Sequence, residues 1–305
     1  MEDYVLIGID IGGTKTAVSL GRDDGTIIDK ISFPTQREVQ SVLDAIGDGV
    51  DTLQAKHGVR SSAIGISCGG PLDSKRGIIQ APPNLPAWKD IPIVSLIEER
   101  FGTPTFLEND ANACALAEWY WGAGRGFESI IFLTFGTGLG AGLVLDGRLY
   151  RGPSGLAGEV GHWRMAPDGP ECYYKKGSFE SFASGCGISG RYEMQYGKRL
   201  SAKEVCRLAE AGDAKALGVV NESAQMLGVG LSLLVDLLNP QRIIIGSIYA
   251  RSEDLFRPLM EEVMKAECLP LSLSACEVVS SQLGERLGDM AALGIARDHR
   301  RLDHG

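Results

Sequence analysis

One pattern occurs twice in this chain: an apolar strand, a Gly/Thr-rich turn, a second apolar strand and an Asp-Gly reversal before a third. The first copy runs from Val5 to Ile28 and the second from Ile130 to Tyr150. Asp-Gly between apolar runs is a strong hairpin signal, because a type I′ turn needs positive φ at both central residues. Glycines in the earlier turn let backbone N–H groups approach a phosphate closely. The repeat therefore indicates two halves that face each other across a nucleotide, and favours a phosphoryl-transfer enzyme.

The composition is that of a globular protein, and its acidic balance argues against a phosphate-backbone partner. A chain of 305 residues can form one large domain or two of ordinary size. The net charge of −9 argues against a nucleic-acid partner, which would favour a basic surface. No apolar stretch approaches the ~20 residues that span a bilayer. We therefore expect neither nucleic acid nor membrane as a partner.

The N-terminus and the cysteines favour the cytoplasm. Met1-Glu2-Asp3 leads at once into a strand, so we expect neither a basic secretory n-region nor a DNA-binding segment. The seven cysteines are odd in number, scattered and without a CxxC pair. We interpret them as reduced, mostly packed thiols of a cytoplasmic protein.

Strand-like and helical segments alternate, which predicts an α/β fold. We expect the chain to cross between domains near Asp110-Ala111, which gives a smaller α/β domain over 1–110 and a larger one over 111–284. The last helix, within 285–305, has an apolar stripe, so we expect it to return and pack on the first domain. Other predicted elements are helices at Val39–Leu53, Ala111–Trp121 and within 202–237, strands at Ala63–Ser67 and Arg242–Ile245, and an ordered loop at 81–92.

The first glycine-rich loop has two interpretations. Gly12, Gly13, Thr14 and Lys15 can surround nucleotide phosphates, with Asp10 near a magnesium ion that takes few protein ligands. The alternative is a tight turn with a solvated lysine.

The second loop, Phe135–Gly142, contains a nominal dinucleotide fingerprint. Such a fingerprint must open a helix, whereas this loop leads into a strand and a hairpin. The chain also lacks the P-loop and the protein-kinase motifs. Hydride transfer and P-loop chemistry are therefore excluded, and a phosphate loop of another class is favoured.

Two acidic clusters are candidates for acid–base work. Asp110 precedes a helix, where it is either an N-cap or a general base that accepts a proton from an attacking hydroxyl. Asn109 beside it can donate and accept hydrogen bonds to neighbouring hydroxyls. Glu159 and His162 share one face of a turn, as sugar ligands or as an ordinary surface pair.

Taken together, these stretches resemble the ROK family of sugar kinases and related repressors, within the hexokinase/actin/Hsp70 superfamily. The resemblance covers nearly the whole chain in the expected order. It is carried by DIGGTK (10–15), APPNLPAW (81–88), ENDANA (108–113), FGTGLGAG (135–142), GLAGEVGH (155–162) and RIIIG (242–246).

The resemblance implies two ribonuclease-H-like, actin-like ATPase domains that flank a cleft, a cytoplasmic homodimer, and ATP with Mg²⁺ as cofactors. It makes Asp110 the general base toward a sugar hydroxyl, usually the one on C6, and Asp10 a magnesium ligand that acts through water. The implied sugar ligands are Gly70, Asn84, Asn109, Asp110, Glu159, His162 and Glu180. The implied nucleotide ligands are Gly12, Gly13, Thr14, Lys15, Gly136, Thr137, Gly138 and Gly246.

One departure from the family pattern concerns zinc. ROK enzymes commonly carry a CxCGxxGCxE zinc motif after the histidine, but here Ser178 replaces the last thiol and only Cys172 remains nearby. A structural zinc needs four ligands, and His162 and Cys172 supply at most two. We predict no bound zinc, with the loop held by aromatic packing around Tyr173, Tyr174 and Phe179.

The favoured function is ATP-dependent phosphorylation of a hexose or hexose derivative, as in glucokinases. Within that class the acceptor can also be an amino sugar, fructose or a β-glucoside. The rival from another class is a non-catalytic sugar sensor of the ROK repressor type. Repressors often degrade the phosphate loops, whereas this chain keeps both, so the kinase is favoured.

Overall fold

The computed structural model describes residues 4–303, with side chains as far as residue 301. The chain divides into two compact units. Unit 1 holds the described residues up to Arg125, the segment Gly152–Gly155 and the described residues from Leu283 onward, and unit 2 holds Gly126–Arg151 and Leu156–Gln282. The domain boundary near residue 110 stays a prediction. Residues 304 and 305 of the predicted last helix lie outside the described part.

The elements alternate as the sequence predicts. The strands are β1 (Val5–Ile11), β2 (Lys15–Arg22), β3 (Ile27–Pro34), β4 (Ala63–Cys68), β5 (Leu72–Asp73), β6 (Ile78–Ile79), β7 (Thr105–Asn109), β8 (Ile130–Phe135), β9 (Leu139–Leu145), β10 (Arg148–Leu149), β11 (Glu171–Cys172), β12 (Lys175–Lys176), β13 (Arg242–Ile245) and β14 (Glu277–Ser280). The helices are α1 (Val39–His57), α2 (Ile93–Phe101), α3 (Asp110–Trp121), α4 (Gly185–Tyr196), α5 (Ala202–Glu210), α6 (Ala214–Leu238), α7 (Ser247–Arg251), α8 (Glu253–Glu267), α9 (Pro270–Ser274) and α10 (Leu287–Asp303).

The main sheets of the two units have the same topology. Unit 1 has the strand order β3-β2-β1-β4-β7, and unit 2 has β10-β9-β8-β13-β14. In each, the first three strands in sequence are antiparallel, and the remaining two are added parallel to the first. The sequence repeat is therefore a structural repeat, and the predicted α/β class with two sheet-and-helix domains is confirmed.

Each sheet has its own apolar core. In unit 1, β4 is buried along its whole length between β1 and β7. In unit 2, helix α6 supplies much of the core, with twelve buried residues. By length and composition α6 could cross a membrane, but 61% of its most apolar window is buried inside the unit, as in the core helix of a globular protein.

The last helix, α10, packs against strands β1 and β4 with very little space between the backbones. A methyl group on Gly65 would lie 2.1 Å from the carbonyl oxygen of Ala292, and one on Gly8 would lie 2.9 Å from the backbone nitrogen of Leu293. Real Cβ atoms do not approach backbone so closely, so only glycine allows this contact. The fit fixes α10 over two of the parallel strands of unit 1.

We expect Gly65→Ala to destabilise the protein, by the roughly 1–3 kcal/mol that is typical of overpacking. Gly218→Ala in helix α6 is the matched control, since its added methyl would meet nothing closer than Tyr196 Oη at 4.0 Å. The Gly218→Ala variant should be more stable than the wild type by up to about 1 kcal/mol, because alanine has a higher helix propensity than glycine. Thermal unfolding of both variants checks this, and equal losses in the two would contradict the close packing of α10.

Candidate active site

Three neighbouring parallel strands of unit 1 end at one edge of the sheet. Strand β1 carries Asp10 near its end, β4 leads into Gly69-Gly70, and β7 ends at Asn109, directly before Asp110. The carboxyl ends of parallel strands are where open α/β sheets bind their ligands. The sheet therefore brings residues that are far apart in sequence to one edge. We call this group, Asp10, Gly69, Gly70, Asn109 and Asp110 with the loops around them, the half-site of unit 1.

Asp110 is the first residue of helix α3 but not its cap. Asn109 is the N-cap, because its Oδ1 accepts a hydrogen bond from the backbone N–H of Ala111 at 2.9 Å. Asp110 Oδ1 accepts from the same N–H, also at 2.9 Å. The capping function that the sequence left open thus belongs to Asn109, and a methyl on Gly70 would lie 3.5 Å from its Nδ2.

The other carboxylate oxygen of Asp110 points toward neighbouring polar groups of the half-site. A methyl group on Gly69 would lie 4.0 Å from Asp110 Oδ2 and 3.8 Å from Asn84 Oδ1. Asp110 is accessible to solvent, as a group that meets a substrate has to be. Even so, desolvation by the protein around it raises its pKa. A carboxylate with a raised pKa is a better proton acceptor than an ordinary one.

The loop between β1 and β2 offers backbone donors. Its ends are held, because Gly12 N–H donates to Lys15 O at 3.0 Å and Thr35 Oγ1 donates to Gly12 O at 2.7 Å. Within residues 4–303, the N–H groups of Gly13 and Thr14 have no hydrogen-bond partner. Asn84 packs directly on this loop, since a methyl on Gly13 would lie 2.8 Å from its Cβ.

The surroundings of Asp10 strongly disfavour its charged form. Its pKa is raised to about 6, first by burial and then by the negative charges of Asp289 and Asp110. Lys30 and Lys15 partly oppose that rise. Asp289 in turn pairs with Lys30 at 2.6 Å. Sequence reasoning missed Asp289 and Lys30 because they are 259 residues apart and no motif marks them.

The donors of this half-site fit a magnesium–nucleotide complex. Magnesium is typically held by one or two carboxylates plus substrate phosphates. Asp10 supplies a carboxylate beside backbone N–H donors. In the part of the chain that the structure describes, no group of three or more His, Cys, Asp or Glu side chains could hold a metal by itself.

In unit 2, the second glycine-rich loop joins β8 to β9. Gly136 N–H donates to Gly138 O at 3.1 Å, which closes the turn. Over the described residues, the N–H groups of Thr137 and Gly138 have no partner, so this loop also offers free donors. Gly246 follows β13 next to it, and a methyl on Gly136 would lie 3.5 Å from Ser247 Oγ.

Glu159, His162 and Glu180 line a small pocket in unit 2, together with Leu139, Gly161, Cys172, Tyr173 and Ser178. Glu180 Oε2 accepts a hydrogen bond from Leu139 N–H at 2.9 Å. A methyl on Gly138 would lie 2.6 Å from the same oxygen, so this carboxylate lies against the second loop. A larger cavity of about 450 Å³ lies by Arg257 and Lys265 and contains none of the predicted site residues.

The structure corrects two predictions for the loop beside this pocket. Cys172 is not a thiol, because it forms a disulfide with Cys186, while the other five cysteines are free. Aromatic packing holds only part of the loop: Phe179 is buried and stacks on Trp163, but Tyr173 and Tyr174 are 54% and 90% exposed. The interpretation of Cys186 as a reduced thiol is also wrong, and no motif pointed to its pairing because it lies 14 residues from Cys172.

Comparison with known proteins gives matches over nearly the whole chain. The ROK family model matches residues 6–299. A glucokinase from Thermotoga maritima is 34% identical over 98% of this chain and 99% of its own length. The crystal structure of a ROK hexokinase from Thermus thermophilus has a TM-score of 0.88, with 34% identity over 99% of this chain and all of that one. A ROK family glucokinase from Streptomyces griseus, in complex with glucose and AMPPNP, has a TM-score of 0.77 and 30% identity, over 96% of this chain and 99% of its own.

Asp10→Asn should stabilise the protein at alkaline pH. The pKa of Asp10 rises from 3.8 in the unfolded chain to about 6 in the folded protein. Above about pH 6 the carboxylate is ionised in both states, and its burial then lowers the free energy of unfolding by the full amount. Below about pH 3.8 it is protonated in both states and has no such effect. The variant should therefore unfold at a higher temperature than the wild type at about pH 8, and with little difference at about pH 4. Asp48→Asn, at a side chain that is 78% exposed, is the control. A gain that is the same at both pH values would contradict the assigned pKa.

Purified protein should contain less than one equivalent of zinc. The Cys172 sulfur is in a disulfide and cannot act as a thiolate, and tetrahedral structural sites need four ligands. Elemental analysis after dialysis checks this. A full equivalent that survives dialysis would show that the prediction is wrong.

Proposed function

Because the chain belongs to the ROK family, we propose that it is an ATP-dependent kinase that phosphorylates a hexose or hexose derivative. The observation that carries the proposal is Asp110: an accessible carboxylate with a raised pKa, at the carboxyl edge of a parallel sheet, beside Asn84 and the first phosphate loop.

Asp110 acts as the general base. Its Oδ2 accepts the proton of a sugar hydroxyl, the one on C6 by family resemblance. As the proton leaves, the hydroxyl oxygen bonds to the terminal phosphorus of ATP, and the bond from that phosphorus to ADP breaks. The raised pKa supports this role, because a base works best when its pKa lies close to the working pH. Asn109 Oδ1, which accepts from Ala111 N–H, keeps the start of helix α3 in place.

Polar side chains bind the remaining hydroxyls. Asn84 and Asn109 can donate as well as accept hydrogen bonds, while Glu159 and Glu180 accept and His162 does either according to its protonation. Gly70 lines the sugar site through its backbone. Glu180 is already fixed by Leu139 N–H, which favours one orientation of its carboxylate.

The phosphates are bound by backbone donors of the two loops. The free N–H groups of Gly13 and Thr14 in one loop, and of Thr137 and Gly138 in the other, suit anionic oxygens, and Lys15 adds a positive charge. Gly246 is assigned to the adenosine. Asp10 would help to hold a magnesium ion beside the phosphates, and the ion would supply positive charge that neutralises the transferred phosphoryl group.

Glucose is the first acceptor to test, since the relatives with identities above 30% include glucokinases. An amino sugar, fructose or a β-glucoside remains the alternative acceptor. We also propose that the protein acts as a homodimer in the cytoplasm, where ATP is abundant.

ADP release against a panel of hexoses, amino sugars and β-glucosides tests the function. We expect one sugar to stand out, with release that depends on both ATP and magnesium. Release that no sugar in the panel stimulates would contradict the kinase.

Asp110→Asn should abolish turnover and leave sugar binding largely intact, because the amide keeps the shape but cannot accept a proton. General-base loss alone predicts a drop in kcat of roughly 10²–10⁴-fold. Steady-state kinetics and calorimetric sugar binding separate the two effects, and Asp44→Asn on the exposed face of helix α1 is the control. Near wild-type turnover would show that another group is the base.

A further inference from the structure

The hairpin of β11 and β12 forms one wall of the pocket that holds Glu159, His162 and Glu180. Cys172 and Tyr173 both line that pocket. Tyr173 and Tyr174 make the turn with φ of 45° and 61°, a conformation that non-glycine residues seldom adopt. The hairpin is therefore a constrained segment whose position shapes the pocket.

The other end of the disulfide lies in the first turn of helix α4, which is bonded to the second phosphate loop. Gly185 N–H donates to Gly136 O at 2.7 Å, and Cys186 N–H donates to Thr137 O at 3.0 Å. The same turn is also bonded to the sugar side, because Ser184 Oγ donates to Glu180 O at 2.6 Å. Cys186 is thus at the point where both sets of ligands in unit 2 are anchored.

We propose that the Cys172–Cys186 disulfide is a positioning device that fastens the pocket wall to the anchor of the second phosphate loop, so that its thiol–disulfide state sets the affinity for the sugar. The inference rests on the proposed function, since it assigns a consequence to the proposed sugar ligands. Neither cysteine contacts the reacting atoms in this account. They act through the hairpin and through the first turn of α4.

Without the disulfide, the hairpin keeps weaker attachments. Lys175 Nζ donates to His162 O, and Arg164 Nη1 donates to Lys176 O. Both bonds hold β12, whereas Cys172 is on β11, the strand that contributes to the pocket wall next to Tyr173. Reduction therefore removes the covalent link between β11 and helix α4, while the pairs Glu171–Lys176 and Cys172–Lys175 still join β11 to β12. The pocket wall at Tyr173 then depends on these weaker bonds for its position.

The change of state is an ordinary thiol–disulfide exchange. A dithiol reductant of the thioredoxin class supplies two electrons and two protons, leaves thiols at positions 172 and 186, and becomes a disulfide itself. In the reverse direction, glutathione disulfide accepts the two electrons and is released as two glutathione thiols. In a reducing compartment, disulfides are mostly transient, catalytic or redox-sensing, which favours a reversible role over a permanent one.

The first test counts thiols. After incubation with glutathione disulfide and removal of the reagent, protein unfolded without reductant should show the five thiols that are free in the structure, and reduced protein all seven. Peptide mapping should find a cross-link between Cys172 and Cys186. Seven thiols in the oxidised sample would overturn the proposal.

The second test compares sugar affinity in the two states. Reduction should raise the Kd for the sugar, measured without nucleotide, by at least about five-fold. The KM for the sugar should rise by a similar factor. A change of about five-fold is the lower end of the effects that one site typically has on the affinity of another. We expect kcat to change less than about two-fold, because the base is untouched. The double variant Cys172→Ser/Cys186→Ser should match reduced protein with and without reductant. Cys276→Ser, at a free cysteine outside this region, should respond like the wild type. Equal KM values in both states would overturn the proposal.

A third measurement separates this inference from the proposed function. Hydrogen exchange of residues 171–177 and of the Cys186 N–H should accelerate on reduction in the wild type and not in the double variant. If no sugar supports ADP release, the kinase proposal fails. The hydrogen-exchange rates still test the positioning role, because they do not depend on turnover. Unchanged exchange would overturn that role even if a sugar is phosphorylated.

Discussion

The parallel hydrogen-bond ladders of β1, β4 and β7 are the constraint on which the candidate site of unit 1 depends. They place Asp10, the Gly69-Gly70 turn and Asp110 at one edge, although the first and last are 100 positions apart in the printed sequence. Helix α10 covers the same strands only because Gly8 and Gly65 leave room for its backbone. Chemistry at the edge and packing on the face are therefore two results of one strand arrangement.

Local sequence signals predicted most of what recurs in the fold. Apolar strands around Asp-Gly predicted both three-stranded hairpin units, and an Ala/Leu-rich run predicted α3 from Ala111, one residue after its observed start. The glycine-rich loops were predictable because each is a short glycine-rich segment between two apolar strands. In each case the physical cause lies within a few residues of the signal.

What the sequence did not predict depends on contacts between distant segments. The Lys30–Asp289 pair beside Asp10 joins opposite ends of the chain, so no spacing rule points to it. No sequence motif marks Cys172 and Cys186 as a disulfide pair. The prediction that Tyr173 and Tyr174 pack in the loop was wrong, because both side chains are exposed. Strand β14 is only partly buried along its length, which leaves it without a strong apolar pattern.

The discontinuous make-up of unit 1 has a consequence for synthesis on the ribosome. Its sheet is complete once β7 has emerged, but α10, which covers β1 and β4, is translated after all of unit 2. Unit 2 is closed as soon as β14 has been made, so it can fold while the earlier part of the chain still waits for its last helix. The chain order therefore departs from a simple N-terminal-first sequence of completed units, because unit 1 receives its last element after unit 2. Until α10 has been made, the nascent chain carries a sheet face that this helix does not yet cover, the kind of apolar surface that chaperones bind.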